Sequence, residues 1–193
     1  MKKKYLTLII FSLFSQILFS QTVQDELNKL FFDLNLELKF NEIVSKSNQN
    51  FEFSEETDSI TNVTEKIYTT SFTEHPLIQS KILIGYYSIR QAQKEKDLKK
   101  EKYGIDAVIK FQTQEEVITE YKKLSLQYEK FGYSIKERTV KGENEDIGYQ
   151  NKVISIETKT KSIDLTFLYI ISGEEKTEYD LYIACSYQNL LYK

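Results

Sequence analysis

The chain has 193 residues, a formal charge of −3, and only one Cys, one His, one Pro and six Gly. Its length suits one ordinary domain or two small ones, each with a real core. The acidic balance excludes the concentrated basic face that nucleic acid requires. A lone Cys excludes an internal disulfide, and one Cys with one His is too few for a zinc site.

Met1 is followed by Lys2, Lys3 and Lys4, then by the uncharged apolar run from Tyr5 to Phe19, then by Ser20 and Gln21. A charged start, a short apolar stretch and a small residue at its exit are the marks of a secretory signal. Residues 1–20 are predicted to be removed between Ser20 and Gln21. The run is shorter than the ~20 apolar residues of a spanning helix and is interrupted by Gln16, so no stable membrane anchor is expected. No Cys follows it to accept a lipid. The predicted destination is the periplasm or the medium.

A first helix is predicted from Thr22 to about Ser45. Leu27, Leu30, Phe31, Leu34 and Leu38 keep helical spacing, although Leu34, Leu36, Leu38 and Phe40 also alternate as in a strand. Strands are predicted over 51–55, 63–72, 81–91 and 104–112. A second helix opens with the capping signature of Thr113 and Glu116. Its stripe is Val117, Tyr121, Leu124, Tyr128 and Phe131, and Gly132 is placed to take positive φ at its end. Strands over 133–140, 152–160, 162–171 and 177–187 follow. In the last, Tyr179, Leu181, Ile183, Cys185 and Tyr187 point one way.

This order predicts an α+β fold of two helix-plus-four-strand units, 21–112 and 113–193, related by an internal duplication. Each unit would be an antiparallel meander sheet covered on one face by its helix. In the overlay, Ile105 to Ile109 fall on Tyr179 to Ile183, and Thr22 on Thr113. No Pro/Gly/Ser-rich linker separates the units, so they are expected to pack as one body. In outline this resembles tandem folds such as the TATA-binding and β-lactamase-inhibitor families, each built from two helix-and-sheet repeats. The resemblance covers architecture and carries no functional residue across.

The chemistry-bearing residues are sparse. His75 precedes Pro76 in a segment linking two strands, which reads as an exposed turn without a nucleophile beside it. Cys185 has apolar neighbours at two-residue spacing and reads as a small core residue. The acidic loop Gly142 to Gly148 lacks EF-hand spacing and reads as a solvated turn. The mixed-sign run from Lys94 to Lys102 lacks the apolar stripe of a membrane-surface segment. With six Gly there is little room for a phosphate loop. The chain is expected to fold without a metal or organic cofactor.

A non-catalytic envelope or secreted protein that binds another protein or an envelope component follows from these absences. Two alternatives stay open: a hydrolase using two carboxylates across a cleft, and a carrier of an apolar ligand. The expected working surface is the sheet face turned from the helices. Leu83, Tyr87, Ile89, Leu168, Ile170 and Tyr182 are assigned to it, with Val108 beside them. That set is more apolar than a solvated sheet face, as an interface would be. The competing reading is internal cover of the same face.

Overall fold

The computed structural model describes residues 22–36, 38, 40–57, 59, 63–93, 102–141, 147–157, 161–172 and 178–189. The predicted signal segment (1–20), the mixed-sign run up to residue 101 and most of the acidic loop lie outside these residues.

All eight predicted strands form: β1 (Glu52–Thr57), β2 (Thr64–Phe72), β3 (Ile84–Gln93), β4 (Lys102–Phe111), β5 (Ser134–Lys141), β6 (Ile147–Glu157), β7 (Lys161–Ser172) and β8 (Glu178–Asn189). They make a single antiparallel sheet in the order β1-β2-β3-β4-β8-β7-β6-β5. The expectation of two sheets is therefore corrected. Each half is a meander, but β4 and β8 pair along ten residues, from Lys102 beside Gln188 to Phe111 beside Tyr179. That seam joins the two meanders. The order maps onto itself when the first four strands exchange with the last four.

One face of the sheet is apolar on alternate residues and is covered by helices. From β7 it takes Ile163, Leu165, Phe167 and Tyr169, and from β8 Leu181, Ile183 and Cys185, all buried. Helix α3 (Gln114–Glu129) lies over β7, β8, β4 and β6. Its start is fixed as the sequence predicts: the Thr113 hydroxyl accepts from Glu116 N–H at 3.3 Å, and the Glu116 carboxylate accepts from Thr113 N–H at 3.1 Å. This satisfies donors that the first turn leaves open. Val117, Tyr121, Leu124 and Tyr128 form the buried stripe. Gly132 serves differently from the expectation. Its φ is not in the left-handed region, and the reason for glycine is space, since a Cβ there would stand 2.6 Å from Ile154 Cγ2. The far end of α3 is tied to the sheet by Lys152, which meets both Glu129 and Glu137. Burial works against the Lys152 charge, but the two carboxylates outweigh it and hold the ammonium pKa above its ordinary value.

The long first helix is not one helix. Helix α1 (22–30) stops, and the chain turns through Phe32 and Asp33, both at φ 58°. The short helix α2 (Phe40–Lys46) then follows. Asn28 organises the break: its carbonyl accepts from Asp33 N–H at 2.8 Å, and its side-chain oxygen accepts from Leu36 N–H at 3.2 Å. The strand-like alternation belongs to this connection, where Leu34 and Leu36 are buried and Asn35 is exposed.

Helix α1 packs beside α3, with Tyr128 donating its hydroxyl to Glu26 O at 2.7 Å. Its buried Val23, Leu27, Leu30 and, past its end, Leu34 repeat the spacing of Val117, Tyr121, Leu124 and Tyr128. On that match Thr22 does not correspond to Thr113. One continuous core runs under both helices.

Candidate functional site: the open face of the sheet

Residues that alternate with the core set point to the other face. The ladders place them in rows across the strands. In the central row Tyr86, Val108, Tyr182, Leu168 and Asn151 follow one another across β3, β4, β8, β7 and β6. The row beside it is Ile84, Lys110, Asp180, Ile170 and Tyr149. On the other side run Ser88, Asp106, Ala184, Thr166 and Val153. Tyr86 is 41% exposed, and Val108, Tyr182, Leu168 and Ile170 are half-buried.

Three of the six residues assigned from sequence, Leu168, Ile170 and Tyr182, thus share this face. Tyr87 and Ile89 do not: Tyr87 stands beside Ala107 and Ile89 beside Ile105, on the helix-covered side, and both are buried. Leu83 precedes β3 and is 53% exposed at the end of the sheet. The period of β3 itself decides which of its residues face outward. Tyr86, Ser88 and Arg90 form the more polar phase of β3, and that phase faces solvent. The same rule would have found Tyr86.

Charged groups flank the apolar row. Arg90 pairs with Asp106 at 3.0 Å, and Lys110 stands 3.9 Å from Asp180. Burial raises both aspartate pKa values above the ordinary range, against the pull of Arg90 and Lys110 respectively. The Tyr182 hydroxyl reaches Asp180 Oδ2 at 3.5 Å. Asp180 Oδ1 and Asn151 Oδ1 are buried without a hydrogen-bond partner. The face therefore combines an apolar strip with charged pairs along its flanks.

The two aspartates do not form a glycosidase-type pair with each other. Asp106 and Asp180 lie on adjacent strands but two ladder rows apart, with the Val108–Tyr182 pair between them. At ~3.4 Å per residue that is about 14 Å along the strands, beyond the ~5–10 Å at which paired carboxylates work. Among the described residues, no three His, Cys, Asp or Glu side chains gather as a metal would need.

The remaining chemistry-bearing residues belong to the core. Cys185 is buried, and burial pushes its thiol pKa up to about 12, which makes it inert. His75 sits in a turn closed by a bridge to Ile78, but it is buried rather than exposed. Its Nδ1 accepts from Leu77 N–H at 3.1 Å, so Nε2 carries the hydrogen and donates to Leu30 O at 2.9 Å. No family model, curated protein or solved structure matches the chain.

Proposed function

We propose that this chain is an exported protein that binds another protein or an envelope component, without catalysis, through the open face of its sheet. The supporting observation is the apolar row Tyr86, Val108, Tyr182 and Leu168, laid across four neighbouring strands opposite the helices. Such a row on a partly exposed face is what an interaction surface uses, with aromatic side chains giving large contact area at low entropic cost. The two halves are read as a duplicated unit, on the strand order, the matching helix stripes, and Tyr87 and Tyr169 facing the helices from β3 and β7.

Two measurements test this. Export with processing predicts an N-terminus at Gln21 in mass spectra of the protein recovered from outside the cytoplasm, and an intact Met1 in a membrane fraction contradicts it. For the surface, a photo-crosslinking amino acid is placed at Val108 and, as a control, at Leu126, which is exposed on α3. Adducts in cells should form from position 108 and not from 126. Equal yields from both positions would remove the sheet face as the binding surface.

A further inference from the structure

Among the described residues, no strand pairs with the outer edge of β1 or of β5, the two ends of the sheet. Every residue of β1 is exposed, and so are residues 135–139 of β5. An uncovered edge offers a row of backbone donors and acceptors to any strand that can approach.

The two edges differ in sign. On the open face β1 presents Glu52, Ser54 and Glu56, and Glu65 of β2 stands directly opposite Glu56. On the same face β5 presents Ser134, Lys136 and Arg138. The charges on the helix side are largely balanced within the molecule: Glu55 stands opposite Lys66, and Glu137 is held by Lys152. Among the described residues no ion pair involves Glu52, Glu56, Lys136 or Arg138. Each edge also carries an exposed apolar side chain on the helix side, Phe53 at 53% and Ile135 at 45%.

We propose that a second copy of this chain docks edge to edge, β1 of one copy pairing antiparallel with β5 of the next. The directions fit. In an antiparallel sheet of eight strands the two end strands run oppositely. A copy displaced sideways with its helices on the same side therefore brings β1 antiparallel to β5. Placing Glu52 beside Arg138 and Ser54 beside Lys136 keeps the faces in phase. Lys136 then lies diagonally between Glu52 and Glu56, and Phe53 lies diagonally from Ile135, within cross-strand reach.

Electrostatics selects this arrangement over a closed dimer. Pairing β1 with β1 sets Glu52 and Glu56 against their own copies, and pairing β5 with β5 does the same for Lys136 and Arg138. Like charges directly opposite are destabilising. Charge on an edge ordinarily guards against pairing. Here each sign guards against its own kind and admits the other. The contact is heterologous, and a copy displaced sideways without a closing rotation extends it into an open array.

The test is sedimentation of the purified protein across concentration. At ~10 mM salt the weight-average mass should rise to at least twice the protomer mass without a plateau, and it should return to the protomer at ~1 M, where charges are screened within ~3 Å. Glu52→Lys with Glu56→Lys gives two basic edges, and Lys136→Glu with Arg138→Glu gives two acidic ones. Each variant alone should stay a protomer, and an equimolar mixture should associate. A protomer mass for the wild type at low salt overturns the proposal, as does association of either variant alone. A second readout does not depend on charge reversal. A chain carrying Ser54→Cys and Lys136→Cys should oxidise to a ladder of covalent species longer than dimers, whereas dimers alone or no ladder would rule the head-to-tail contact out.

Discussion

Tyr87→Ser is expected to destabilise the fold by about 3–5 kcal/mol, the range for truncating a buried aromatic side chain. Tyr87 is 1% exposed and stacks on Phe32, with ring centroids 4.9 Å apart and planes 13° from parallel. Phe51 meets it edge-on at 5.5 Å, and Phe72 lies at 6.1 Å. Serine would leave a cavity that these rings, fixed by the sheet and by the turn after α1, fill poorly. Tyr182→Ser removes a ring of the same size from the open face and should cost less than about 1 kcal/mol, because little of the surroundings loses contact. Tyr87→Phe sharpens the contrast. The Tyr87 hydroxyl is buried without a hydrogen-bond partner, so its removal should be neutral or stabilising. Urea midpoints of the three variants measure this. Similar losses for Tyr87→Ser and Tyr182→Ser would mean that both faces of the sheet are interior.

Acidification should act through His75. Burial lowers its pKa from 6.5 to about 4, outweighing the bond to Leu30 O, which favours the charged form. Protonating Nδ1 would also break its bond from Leu77 N–H. Because the folded pKa is depressed, the unfolded chain takes up the proton first as pH falls. The contribution is complete above the unfolded value of 6.5 and is lost as pH falls to the folded value near 4. A gap of that size corresponds to about 3 kcal/mol. The raised pKa values of Asp106 and Asp180 act in the opposite sense, since there the folded state binds the proton first. A comparison of wild type with His75→Gln cancels those aspartates. The variant should be less stable at neutral pH and should lose less stability on acidification. Parallel pH profiles for the two proteins would show that the His75 proton is not coupled to folding.

The strands and α3 were legible because their signals are local. Period-two alternation marks β7 and β8, and a complete capping box marks Thr113. The break after α1 was not legible. Phe32 and Asp33 take positive φ without glycine, and what holds Phe32 there is its ring against Tyr87, Phe72 and His75, contacts made with residues 40 to 55 positions away. The same distance in sequence hid the burial of His75, whose partner is the carbonyl of Leu30. The meanders could be read strand by strand, but nothing within either one says that β4 and β8 are neighbours. On the open face, Leu168, Ile170 and Tyr182 followed from alternation alone. Tyr86 was equally legible, since it lies on the more polar phase of β3 with Ser88 and Arg90.

The place of β8 has a consequence for the order in which the sheet can assemble. It follows all seven other strands along the chain yet occupies an interior position, between β4 and β7. Until it inserts, β4 and β7 each have an open side, and the four strands β1–β4 have no ladder to the three strands β5–β7. Formation of the native sheet therefore waits on a pairing between residues as far apart as Lys102 and Gln188, a separation that slows folding and prolongs exposure of unpaired strands. A chain cut before β8 would keep α1 and α3 but lack the strand that makes its two meanders one molecule.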